Sequence, residues 1–255
     1  MQLGPIALPT YASLVYLGLL GGALLTYLET RHRRLPPVPI VDAALTAGVG
    51  SVLLGRALYV AVHWGYYQTH LAEALRPWDG GLAWQGALLG GVMGTALACA
   101  ARGVPVTPIL DLFTPAAGSV AVFAWLGCHV ASCAYGVETY PGQGLLWRLS
   151  LDLPDLYGIR QPRIPVQLLG AGGSALILTI ALIIRRRIRR PGTIFALWVS
   201  LQSLGSFGLG LWRADSMPQM SGWRVDHLVN LFLCGVGLAT ALAMMIRQPP
   251  DSGGG

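Results

Sequence analysis

The sequence predicts an all-α integral membrane protein: seven transmembrane helices, with the N-terminus outside and the C-terminus in the cytoplasm. Three observations carry this. First, 54% of the 255 residues are hydrophobic and only 11% are charged, whereas a soluble domain carries roughly a quarter charged residues. So few charges cannot coat a water-facing surface, which points to lipid as the solvent. Second, seven apolar runs approach the roughly 20 residues needed to cross a hydrocarbon core about 30 Å thick. Third, arginines are divided unevenly between alternate loops.

In chain order the runs cover residues 6–28, 40–63, 81–101, 109–132, 166–184, 193–212 and 227–246. The first is too long for a signal peptide, lacks a basic leading region and ends in a basic cluster, so it reads as a span. The connecting segments are polar and rich in Pro and Gly. The longest, residues 133–165, holds Pro141-Gly142-Gln143-Gly144 and Leu153-Pro154-Asp155 and reads as turns, not as a separate domain. Residues 1–247 form a single seven-helix membrane domain on this reading, and residues 248–255 a disordered tail.

All 17 basic residues are arginine, and the formal charge is +6. Ten arginines follow odd-numbered runs, including Arg31, Arg33 and Arg34 and five within residues 185–190; six lie in the even loops. Both clusters fall on one side, which makes that side cytoplasmic and leaves residues 133–165 outside. The cluster at 185–190 also suits contact with anionic lipid. No basic stretch is interleaved with aromatics, so nucleic acid is excluded as a partner. Four cysteines in a membrane chain define no disulfide framework, and no Cys/His set has zinc spacing. No cofactor is expected. Gly86, Gly90 and Gly94, and separately Gly170 and Ser174, have the small-residue spacing of closely packed helices. Trp64, Trp78, Trp212 and Trp223 near span ends suit an interfacial belt.

Ionisable groups inside a membrane are costly, so each is a candidate site. Arg56 lies deep in the second run within Gly55-Arg56-Ala57-Leu58-Tyr59. Its charge needs an acidic partner, with Asp215 and Asp226 as candidates, or a water-filled cavity or an anionic headgroup. Asp42 and Asp111 fall at the starts of the second and fourth runs, where helix N-termini favour carboxylates. At the end of the fourth run, Trp125, His129 and Ser132 share one helical face. His129 and Cys133 are four apart, and an imidazole beside a thiol can make it a nucleophile. On a continuous helix Cys128 and Cys133 point about 140° apart, so both are expected as reduced thiols; a disulfide would require the helix to end between them.

The order of these motifs resembles the bacterial prolipoprotein diacylglyceryl transferase family. Gly55-Arg56-Ala57-Leu58-Tyr59 is similar to its Arg-containing second-helix segment. Gly80-Gly81-Leu82-Ala83-Trp84-Gln85-Gly86 is similar to its Gly-Gly-Leu-Ser-Phe-His-Gly. Asp111, Pro115, Gly127 and Gly136 keep the spacing of its signature region, and Arg163-Ile164-Pro165-Val166-Gln167-Leu168 is similar to its Arg-His-Pro-Ser-Gln-Leu. The resemblance implies a seven-helix enzyme of the bacterial inner membrane that moves diacylglycerol from phosphatidylglycerol to a prolipoprotein cysteine. It implies Arg56, Tyr59, Trp125, Arg163, Gln167 and Arg213 as lipid-binding residues and Gln85 as a catalytic candidate, beside which the spacing of His129 and Cys133 makes that pair the other catalytic candidates.

Several family positions are changed. The family's His falls on Gln85. In its signature Gly-Arg-x-Gly-Asn-Phe-x-Asn-Gly-Glu, the Arg falls on Trp125, the two Asn on Cys128 and Ala131, and the Glu on Cys133. The sixth helix's Tyr, Arg and Glu fall on Gln202, Ser206 and Gly210. Cys128, Cys133, Tyr135 and Gly136 are similar to a subgroup signature, Gly-Cys-x-x-x-Gly-Cys-Cys-Tyr-Gly. A phosphate is best held by charge-assisted Arg contacts, and a departing glycerol phosphate needs positive charge in the transition state. The replacements are expected to remove most transferase activity. Three readings stay open: a divergent transferase, an inactive lipid-binding subunit of a larger membrane complex, and thiol redox chemistry.

Overall fold

The computed structural model describes residues 2–3, 6–7, 10–188, 190–220 and 222–246. Among them, seven helices are long and apolar enough to cross a membrane. They are α1 (Thr10–His32), α2 (Pro37–Val62), α3 (Trp84–Arg102), α4 (Val106–Val130), α5 (Val166–Ile184), α6 (Thr193–Gly210) and α7 (Val225–Ile246). The chain is a multi-pass membrane protein. Large apolar side chains such as Leu20, Leu45, Leu97 and Phe232 are exposed, as lipid-facing residues must be where the solvent is hydrocarbon. Trp64, Trp78, Trp212 and Trp223 lie just beyond span ends and are also exposed.

Most predicted boundaries shift by a few residues, with local causes. Pro37 opens α2 at its first position, where a missing N–H costs nothing. The first helix starts at Thr10 instead of residue 6, because Ile6–Ala7 is extended. α4 starts earlier than expected, so Asp111 sits inside it, not at its start. Asp42 forms an ion pair with Arg102 of α3. The loop after α4 holds a short helix, Leu145–Leu149, and an antiparallel hairpin, β1 (Leu151–Pro154) and β2 (Arg160–Arg163), with Leu151 paired to Arg163 and Pro154 to Arg160. The proposed tail lies outside the described residues.

The chain divides into two compact units. In the smaller, residues 27–112 with 218–220, the core is the antiparallel pair α2 and α3. A Cβ placed on Gly86, Gly90 or Gly94 of α3 would overlap the backbone carbonyl of Leu54, Gly50 or Thr46 of α2. The glycine ladder is thus a backbone-to-backbone seam. Thr46 Oγ1 crosses it, donating to the Gly94 carbonyl at 2.8 Å.

In the larger unit, α6 packs against both α5 and α7. Ser200 Oγ donates to the Cys234 carbonyl at 3.0 Å, and Gln202 Nε2 donates to Ser174 Oγ at 3.0 Å. Gly170 of α5 lies flat under the Trp125 ring, where any Cβ would collide with the indole. Gly18 and Gly22 of α1 admit Phe123 and Ala116 of α4 in the same way.

Candidate functional site

In the smaller unit the site is built around Arg56. α2 carries it one turn before Tyr59, and the segment after α2 folds back through two short helices, Trp64–Tyr67 and Leu71–Ala74. That return delivers four carbonyl groups to the guanidinium. Nε donates to the Ala74 carbonyl at 2.9 Å. Nη1 donates to Gly80 at 2.5 Å and Gly81 at 3.0 Å, and Nη2 to Glu73 at 2.5 Å. The Tyr59 and Tyr67 rings lie 5.9 and 5.2 Å from the guanidinium carbon, within cation–π range.

Gly80 and Gly81 have φ of 95° and 77°, values that L side chains rarely adopt. A Cβ at Gly81 would also strike Tyr59 and Arg56. These two glycines let the chain turn its carbonyls onto Arg56 and then enter α3, where Gln85 is buried in the first turn.

Asp215 and Asp226 are the candidate acidic partners of Arg56. Those carboxylates are taken by Arg213 and Arg224. Glu73, on the return segment, accepts a hydrogen bond from the Tyr66 hydroxyl at 2.7 Å, which raises the Tyr66 pKa. Arg56 is only 7% exposed. Its hydrogen bonds are satisfied by neutral groups, but its charge is cancelled by no carboxylate among the described residues.

The larger unit carries the remaining candidates. Residues 135–139 run between two neighbours: Ala214 N donates to the Tyr135 carbonyl at 2.9 Å and Val137 N to Trp212 at 2.9 Å, while Thr139 N donates to Pro162 at 2.8 Å and Ile164 N to Val137 at 3.2 Å. Gly136 sits where any Cβ would overlap the Ile164 carbonyl. On one side Arg163 is buried, with Nη2 2.8 Å from Glu138 Oε1 and 3.3 Å from Asp155 Oδ2. Asp155 is held in turn by the Tyr157 and Ile159 amides, each at 2.9 Å. On the other side Arg213 and Arg224 share Asp215 and Asp226 in a four-membered network; Arg213 Nη2 lies 2.5 Å from Asp215 Oδ2. Gln167 Nε2 donates to the Cys133 carbonyl at 3.0 Å. Arg163 and Arg213 are therefore neutralised within the protein, unlike Arg56.

The end of α4 corrects the reduced-thiol expectation. Cys128 and Cys133 form a disulfide, with Cα atoms 4.7 Å apart. The helix does not continue through Cys133. It stops at Val130, and Ser132 turns left-handed at φ 57°. Cys133 N then donates to the Cys128 carbonyl at 3.0 Å. This is a Schellman ending, which folds the second residue past the cap onto the last turn. It brings together two residues that a straight helix would hold apart. Cys133 is thereby not a free nucleophile, and His129 stays behind it on the last helical turn. Alkylation of the unreduced, denatured protein is expected to modify two thiols, Cys99 and Cys234, and four after reduction. Four labelled thiols without reductant, read by intact mass, would contradict the disulfide.

Sequence reasoning missed Glu138, Asp155 and the Arg213–Asp215–Arg224–Asp226 network. Their only signal was paired opposite charges in loops, which also describes ordinary solvated surface.

A sequence model of the prolipoprotein diacylglyceryl transferase family matches residues 1–246. Similar proteins include the phosphatidylglycerol–prolipoprotein diacylglyceryl transferases of Thermosynechococcus vestitus, Pediococcus pentosaceus and Bacillus licheniformis. The first is 27% identical over 93% of this chain and 88% of its own length. The second is 28% identical over 97% and 90%, and the third 28% over 93% and 89%. With the seven spans and the glycine-turned Arg56 site in place, a match of this length means that the chain belongs to the prolipoprotein diacylglyceryl transferase family.

Proposed function

We propose that this protein binds an anionic phospholipid of the phosphatidylglycerol class beside Arg56 and acts in lipoprotein maturation in the bacterial plasma membrane. The observation that supports it best is the uncompensated Arg56 charge. A guanidinium inside a membrane attracts an anion, and the four groups that accept its hydrogen bonds are backbone carbonyls. The names of the similar proteins supply the substrate pair, phosphatidylglycerol and a prolipoprotein. The arginine distribution supports an outside N-terminus, a cytoplasmic C-terminus and a site opening to the outer face, with both compact units acting as one membrane domain. Tyr59 and Gln85 line the lipid site on this reading.

Transfer itself is slow. Gln85 can hydrogen-bond but does not titrate, and Trp125 cannot neutralise phosphate. Arg163 and Arg213 already spend their charge on carboxylates. Losing one preorganised electrostatic group typically costs about 10²–10³ in rate, and more than one is replaced here. The same saturation favours a second reading, an inactive homologue that serves as an accessory subunit of a membrane complex.

Expression in cells depleted of their own transferase tests both. Slow growth with partly lipidated prolipoprotein is the expected result. Full rescue, with transfer at the host enzyme's rate, would refute the loss of chemistry. No lipidation, with phosphatidylglycerol still retained by the purified protein, would establish the accessory reading.

A further inference from the structure

We infer that the turn joining α1 to α2 forms a second lipid site, for the phosphodiester headgroup of an anionic phospholipid in the leaflet opposite Arg56. Arg56 lies 19 residues along α2 from Pro37, which is about 28 Å of helix, close to the thickness of the hydrocarbon core. At this turn a cleft of about 380 Å³ is lined by Tyr27, Thr30, Arg31, Arg34, Leu35 and Pro37. None of these is acidic.

The basic residues here differ in what they hold. Arg33 is paired with Glu29. Arg31 Nη1 donates to the Tyr27 hydroxyl at 3.0 Å, and its guanidinium lies 5.9 Å from that ring. That contact positions the group and leaves its charge uncancelled. Arg34 has no side-chain partner among the described residues. Two guanidinium groups facing one cleft suit a phosphate, which accepts forked hydrogen bonds. The apolar wall of Leu35, Pro37 and the Tyr27 ring suits a lipid better than free phosphate.

The backbone gives an independent reason to ask why Arg34 is there. α1 ends in a Schellman turn: Arg34 N donates to the Arg31 carbonyl at 3.2 Å and Leu35 N to the Thr30 carbonyl at 3.0 Å. Arg34 occupies the left-handed position, at φ 53°, where glycine is the usual residue. α3 ends in the same turn with glycine, Gly103 at φ 63°. An arginine at this position is unfavourable for the turn alone, and the cleft gives its side chain a use.

The test uses the full chain in nanodiscs, with native mass spectrometry to count retained phosphatidylglycerol and thermal melting in neutral phosphatidylcholine. Arg34→Gly removes the side chain and suits the turn. It should melt at or above the wild-type temperature, retain one phosphatidylglycerol fewer and bind it about tenfold more weakly at that site. Arg34→Asn, which also tolerates left-handed backbone, should behave alike and serves if the glycine variant expresses poorly. Arg56→Gln should leave this lipid in place, which separates the two sites. A lower melting temperature for Arg34→Gly, or unchanged lipid retention, would overturn the proposal. Equal competition by millimolar inorganic phosphate would show a free-phosphate site and overturn the lipid assignment.

Discussion

Replacing Gly90 by leucine is expected to prevent α2 and α3 from packing, with loss of folded protein after detergent extraction. The two helices touch backbone to backbone at three successive levels, Gly86 on Leu54, Gly90 on Gly50 and Gly94 on Thr46. Gly90 faces another glycine, so neither side has a side chain that could swing away. Overpacking usually costs about 1–3 kcal/mol when side chains can yield; here the backbone itself must separate, and Thr46 loses its bond across the seam. Gly90→Ala should already cost at least about 2 kcal/mol on the same grounds. Gly48 on α2 is the control, because a Cβ there meets nothing within 4 Å. Gly48→Ala should be neutral, or stabilising by up to about 1 kcal/mol through helix propensity. Equal melting temperatures for Gly90→Ala and Gly48→Ala would show that the seam is not close-packed.

The second large effect is expected at Arg56. Arg56→Gln removes a cation that organises carbonyls at residues 73, 74, 80 and 81. An orphaned acceptor costs about 1–3 kcal/mol when fully buried, and these bonds are part-buried, so the total should be about 1–3 kcal/mol. Amide exchange across residues 73–81 should accelerate, and the phospholipid beside Arg56 should be lost. Arg56→Lys separates the two roles. Lysine keeps the charge, but its single nitrogen cannot fork toward carbonyls from two segments. It should loosen the return segment yet retain the lipid. Wild-type exchange in both variants would mean that the carbonyl cradle does not hold the turn.

These two sites explain how the family pattern survives at low identity. Positions that match the family's motifs are points where this fold is tied together. Gly81 turns carbonyls onto Arg56, Gly127 admits Tyr11, and Gly136 lets three segments lie side by side. Arg163 and Arg213 pin the two flanks of that layer, and Gln167 holds the segment after the disulfide. Each needs one residue type for a geometric reason.

The amino-acid sequence by itself determined the seven spans, because hydrocarbon demands length and apolarity, and both are properties of a continuous stretch of chain. It also determined the glycine seam, since spacing of four on a helix always gives one face. Tertiary structure alone decided what each charge does. Arg56, Arg163 and Arg213 carry the same charge, but one is held by backbone carbonyls and two by carboxylates. It likewise decided the state of Cys128 and Cys133. Helical periodicity sets them apart, and a single left-handed residue, Ser132, reverses the chain and joins them. That residue is a serine, which carries no sequence signal for such a turn, so only the folded backbone reveals it.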